Sequence, residues 1–222
     1  MNINKHLILL FSVLFFLFAV SVSSGCFRKN ESDVKSVVRN ELDQLKNLDS
    51  ETTQKYIPYT ELFPDATENT DLTDEINETF SLFFRKFNYK ISDVIVGTAN
   101  HSATVSVKLT TIDSKVLARD FKAELLRTQI TESAQAQKGN IKDSSRSLEA
   151  HYLILNHLLN TNDYDTAETD CNIQLVNTGN DKKEKWKIQR TNSLEDDLVG
   201  GLIADLADPD ILSPEDTLTV YL

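Results

Sequence analysis

Two cysteines, Cys26 and Cys171, and four histidines, His6, His101, His151 and His157, are the side chains best suited to covalent or metal chemistry in this chain. His151 and His157 stand six residues apart on a predicted helix, about 240° around its axis, so they share no face and make no local metal site. Cys171 sits in Asp170-Cys171-Asn172-Ile173, where neighbouring carboxylates raise a thiol pKa and weaken it as a nucleophile. The sequence has no Gly-x-Ser-x-Gly turn, and Gly200-Gly201 follows no strand; in an apolar helical stretch a glycine pair serves close packing rather than phosphate. No catalytic residue, metal or cofactor is therefore assigned, and the chain is read as a non-enzyme. A dispersed active site leaves no local trace and stays open as the alternative.

Charge and aromatic clusters supply the remaining candidates. From Glu195 to Asp216 there are eight carboxylates and no Lys or Arg. Their spacing lacks the alternation and central Gly of a calcium loop, so a solvated helix face followed by an acidic tail is expected. Lys182, Lys183, Lys185, Lys187 and Arg190 fall on a predicted hairpin, where they serve solubility or meet an acidic partner. Phe80, Phe83, Phe84, Phe87 and Tyr89 either line a pocket or fill the core. The net charge is −11, and it is one unit more negative without Lys5. Such a surface repels polyphosphate and anionic lipid, which excludes nucleic acid and leaves only covalent or hydrophobic attachment to a membrane.

Attachment of that kind is written at the start of the chain. Met1–His6 is polar with one Lys, Leu7–Val22 is an apolar run of 16 residues interrupted by Ser12 and Ser21, and Ser23-Ser24-Gly25 leads into Cys26. This is the order of an export signal, and the run is short of the ~20 residues that span hydrocarbon. Val22-Ser23-Ser24-Gly25-Cys26 resembles the lipobox of bacterial lipoproteins, which implies cleavage after residue 25 and lipid on Cys26. Ser23 stands where that motif usually has an aliphatic residue, and Ser23 with Gly25 also suits ordinary secretion. Residues 1–25 are thus a lipoprotein signal peptide and 26–32 a short tether. The expected address is the extracytoplasmic face of the cell membrane, lipid-anchored, with a secreted protein as the alternative.

Beyond the tether, apolar periodicity organises one expected domain over 33–207 and an acidic tail over 208–222. Val34, Val37, Val38, Leu42, Leu45 and Leu48 recur at helical spacing in a helix ending near Asp49-Ser50, whereas residues 51–72, with Pro58 and Pro64, read as an irregular connection holding at most one short turn. A second helix opens at Thr73-Asp74 and carries Ile76, Phe80, Phe83, Phe84 and Phe87 on or near one face. The period then falls to two: strands are predicted around 89–96 and 103–109 with a turn at 97–102. Asp113 or Ser114 caps a long helix, a further helix covers Leu148–Leu159, and Thr166–Val176 with Lys185–Ile188 makes a second hairpin. Ser193 caps a last helix, Leu194–Leu206, interrupted by Gly200-Gly201. Two hairpins with one wet face each, packed on helices, define an α+β fold with an antiparallel sheet of about four strands.

This order, with Phe-Asn-Tyr-Lys-Ile at 87–91, the alternation at 103–109 and Gly-Asn-Asp-Lys-Lys-Glu-Lys-Trp-Lys-Ile at 179–188, resembles small lipoproteins of Clostridia-type bacteria whose domain is NTF2-like or cystatin-like. The likeness covers most of residues 31–207 and implies the fold and an envelope address. It transfers no active site. A ligand- or protein-binding module of the cell envelope is the expected function, its partner an envelope protein or a small apolar ligand. A peptidoglycan or peptide hydrolase and a structural or immunity-type lipoprotein are the alternatives.

Overall fold

A computed structural model of the 222-residue chain describes residues 30–57, 62–64, 66, 72–97, 101–136, 146–179 and 184–212. The export signal, Cys26, Lys182, Lys183 and the tail from residue 213 lie outside the described residues. Helix α1 occupies residues 30–46, followed by α2 (Ser50–Tyr56), α3 (Thr73–Phe84), β1 (Asn88–Val96), β2 (Ser102–Ile112), α4 (Ser114–Ala136), α5 (Leu148–Thr161), β3 (Thr166–Asn177), β4 (Trp186–Ile188), α6 (Asn192–Leu198) and α7 (Leu202–Ala207). The fold is α+β, with one four-stranded antiparallel sheet in the order β1-β2-β3-β4 packed on helices. Among the described residues no helix is long and apolar enough to cross a membrane.

The chain groups into two compact units, Met1–Arg39 with Asp93–Val105 and Ile173–Gln189, and Asn40–Ser92 with Ser106–Asn172 and Arg190–Leu222. In the first, the Gly97 amide donates to the Ser102 carbonyl at 2.8 Å where β1 turns into β2. The second hairpin pairs Leu175 with Ile188, Val176 with Lys187 and Asn177 with Trp186. Asn177 holds its turn: the carboxamide oxygen accepts from the Gly179 amide at 2.9 Å and the Lys185 amide at 3.0 Å. Alternation buries Ala103, Val105, Ile173, Leu175 and Trp186, since successive strand side chains point to opposite faces.

The second unit holds the helices. α3 packs on α5, and α4 packs on α5 and α7. Spacings of three and four bring Ile76, Phe80, Phe83 and Phe84 of α3 and Tyr152, Leu155, Leu158 and Leu159 of α5 inside. Asp113 starts α4, its carboxylate accepting from the Val116 amide at 3.3 Å. Only Ser114, Leu117, Ala118 and Phe121 of that 23-residue helix are buried. On the wet face of this unit's strands, Lys108 of β2 meets Glu168 of β3 at 3.0 Å, and the Ser106 hydroxyl donates to Asn172 at 2.8 Å.

Three local expectations change. The stretch after Asp49 is helical over Ser50–Tyr56, because the Asp49 carboxylate caps the Thr52 amide at 2.8 Å and Thr52, Thr53, Tyr56 and Ile57 are all buried. The cap of α6 is Thr191, whose hydroxyl accepts from the Leu194 amide at 3.1 Å, and not Ser193. Leu48, expected on the apolar face of the first helix, lies beyond its end at a φ of 62° and is 41% exposed. The interruption expected at Gly200-Gly201 separates α6 from α7. Gly200 and Gly201 turn between them at φ of 66° and 92°, a left-handed backbone that glycine adopts without a Cβ penalty.

Candidate functional site

The sequence-predicted aromatic cluster is assembled, and its rings face the interior. Phe80, Phe83, Phe84 and Phe87 are each at most 5% exposed. Phe84 meets Phe83 and Phe87 edge-on at 5.4 Å in both cases, and Phe80 meets Tyr152 at 6.3 Å. Tyr89 is half-buried, and its hydroxyl donates to the Asp43 carboxylate at 2.6 Å. Rings interlocked in this way fill space.

Open space lies elsewhere in the same unit, in a cavity of about 490 Å³. Four segments enclose it. Leu62, Phe63, Pro64 and Ala66 give one wall, Phe121, Lys122 and Leu125 of α4 a second, His151 of α5 the floor, and α7 with Pro209 the last. Helical spacing aims Ile203, Leu206 and Ala207 of α7 into the same space. The floor is aromatic: Phe63 stacks on Phe121 at 5.1 Å and lies 4.9 Å from the His151 ring, while Phe121 meets His151 at 5.7 Å. Among the described residues of the lining, Lys122 and His151 are the ionisable groups and none is a carboxylate. The size and character are those of a small-ligand pocket, apolar walls with a few polar groups to orient a guest.

A second grouping is polar. Glu195 of α6 is 4% exposed, and the Arg190 guanidinium donates to it from Nε at 2.6 Å. Lys55 donates to both oxygens of Glu41 at 2.9 Å and sits 4.7 Å from the centre of the Tyr56 ring. The Tyr56 hydroxyl is buried without a hydrogen-bond partner among the described residues. Burial first, and then the charge of Glu41, hold its pKa far above the ordinary tyrosine range. With both carboxylates facing cations and the phenol kept protonated, the group offers neither base nor nucleophile. It is a stabilising network, and it takes Arg190 out of the basic patch expected on the second hairpin.

Cys171 is a core residue, 2% exposed, its thiol pushed up to about 12 by burial and by the nearby Asp197 carboxylate. Burial likewise raises Asp197. His101 and His157 are exposed. Among the described residues no three His, Cys, Asp or Glu side chains converge on a metal site.

Within the acidic run after Arg190, Asp196 and Asp205 are engaged within the fold, whereas Asp208 and Asp210 are exposed and Glu215 and Asp216 lie outside the described residues. Asp196 accepts from the Ile203 amide at 2.9 Å and the Ala204 amide at 3.2 Å, which caps α7. Asp205 accepts from the Ser114 hydroxyl at 2.7 Å. Sequence reasoning missed both the cavity and these contacts. Its one available signal was the Ile203-Leu206-Ala207 stripe beside Pro209. Compared with family models, with curated proteins and with solved structures, the chain matches none of them.

Proposed function

We propose that this chain is an extracytoplasmic lipoprotein, anchored through lipid on Cys26, whose folded part is a binding module for a small apolar ligand. The cavity lined by residues 62–64 and 66, α4, α5 and α7 carries this reading. It has the volume and the apolar walls that such a ligand needs, on rigid elements that preserve its shape. The order of polar start, apolar run and small residues before Cys26 supports the address, and two or three acyl chains there make anchoring permanent. The small envelope lipoproteins that the hairpins and leader resemble share that arrangement. A hydrolase draws no support from the cavity, whose described lining residues include no carboxylate pair for acid and base work.

Two measurements test the proposal. Intact mass of the protein recovered from membranes reports a diacylglyceryl adduct on Cys26, and a mass with Met1 retained refutes the anchor. Nile red, an uncharged apolar dye, brightens on binding the Cys26→Ser chain, which has no lipid of its own to compete. Ala207→Trp places an indole at the cavity's exposed rim and removes that signal without lowering Tm. Undiminished binding by Ala207→Trp refutes the cavity as the site.

A further inference from the structure

The polar groups of the cavity discriminate among apolar guests. In a chain of net charge −11, the described residues of the lining include one lysine, one histidine and no acidic residue. Lys122 follows Phe121 on α4, so its stem runs beside the apolar wall while its ammonium reaches the mouth. There it donates to the Asp208 backbone carbonyl at the C-terminal end of α7, where unpaired carbonyls concentrate partial negative charge. This contact fixes the position of Nζ and uses one of its three N–H groups.

No described carboxylate pairs with Lys122. The nearest acidic side chains in sequence to the cavity's α7 wall are directed to other groups, Asp205 to the Ser114 hydroxyl and Asp208 to the Asp210 amide at 2.9 Å. A fixed ammonium with two donors left, beside an otherwise apolar space, has no anion among the described residues to accept from it. The repulsion of the acidic surface does not decide the matter, because at physiological salt it is screened over ~8 Å while a contact pair is not.

We infer that the ligand is an anionic amphiphile, an alkyl or aryl carboxylate whose apolar body fills the cavity and whose head group accepts from Lys122 Nζ. The inference rests on the cavity being a binding site. The orientation follows: the tail lies against Phe63, Phe121 and Leu206, and the carboxylate stays at the mouth, half in water. Such a placement avoids burying an ion, which an apolar interior tolerates only at great cost.

Calorimetric titration of the Cys26→Ser chain with dodecanoate and with dodecanol separates the two claims. Dodecanoate is expected to bind about tenfold more tightly, the contribution of one charge-assisted hydrogen bond in a half-exposed site. Lys122→Met keeps the length of the side chain and removes the charge. It is expected to abolish the preference, chiefly by weakening dodecanoate, and Lys122→Arg restores the preference. Equal binding of both ligands by the parent chain overturns the head-group assignment and leaves the cavity standing. A preference that survives Lys122→Met overturns it as well, as does dodecanoate binding that survives Ala207→Trp. Absence of binding by either ligand removes the cavity reading and this inference together.

Discussion

Adjacent glycines at the α6–α7 turn separate two costs that usually come mixed. Both have positive φ, so an alanine at either position carries the left-handed penalty of about 1–2 kcal/mol. They differ in what a Cβ would meet. At Gly201 the nearest atoms are Ser114 Oγ at 3.7 Å and Asp205 Oδ2 at 3.9 Å, which is ordinary contact. At Gly200 the new carbon would stand 2.2 Å from Thr111 Oγ1 and 3.2 Å from Thr111 Cβ. Thr111 is 1% exposed, and its hydroxyl donates to the Ile112 carbonyl at 3.1 Å, so it has no room to turn away and a bond to lose if it does. Overpacking of this kind adds about 1–3 kcal/mol.

Gly201→Ala is therefore expected to cost about 1–2 kcal/mol and Gly200→Ala about 3 kcal/mol, the latter a fall in Tm of about 6–12 °C for a chain of this size. Urea unfolding followed by far-ultraviolet circular dichroism gives both values. Thr111→Ala in the Gly200→Ala background relieves the collision but not the backbone strain, so a double-mutant cycle shows favourable coupling of about 1–2 kcal/mol. Equal losses at the two glycines, or additivity within about 0.5 kcal/mol in the cycle, would falsify the steric account.

Tyr56→Phe removes a buried hydroxyl that has no described partner, so stability is expected to hold or to rise by up to about 1 kcal/mol in the same unfolding assay. A loss larger than that shows the hydroxyl to be bonded in solution. For alkaline pH the sign follows from Cys171. Its folded pKa lies at about 12 against an ordinary 9.0, so the unfolded chain sheds the proton first; stability is complete below pH 9.0 and declines above it. By about pH 10.5 the decline attributable to this thiol is about 2 kcal/mol. Tyr164, also held up to about 12, steepens the fall above pH 10.0. Cys171→Ala flattens the first part of the profile, and identical slopes for the two proteins refute the assignment.

Period was the legible part of the fold. The change from helical spacing in Ile76–Phe84 to alternation in β2 is a property of the sequence itself, and it located α3, both hairpins and α5 within a few residues. α2 was illegible because Thr52 and Thr53 are weak helix formers. What makes them helical is the Asp49 cap together with burial of the face bearing Tyr56 and Ile57, and burial is decided by distant partners. The Phe cluster shows the same limit for function. Apolar residues grouped on a helix announce that they avoid water, and the pattern is identical for a packed core and for a pocket wall. The cavity is the space left where α4, α5, α7 and residues 62–64 and 66 fail to interlock, and no one of those segments encodes it.

The C-terminal acidic run carries the reasoning one step further. As a string of letters it reads as a negative patch open to solvent. In the fold, Glu195 faces Arg190, Asp196 caps α7, Asp197 adjoins the Cys171 thiol, and Asp205 and Asp208 accept from Ser114 and from the Asp210 amide. Each contact turns a carboxylate toward a donor within the fold. What they leave at the cavity mouth is Lys122, oriented by a backbone carbonyl and unmatched by any described carboxylate. A uniformly acidic surface discourages anions in general. A cation isolated at one apolar opening selects, among anions, those with a body to bury, so the protein's overall charge and its local site act together as a filter.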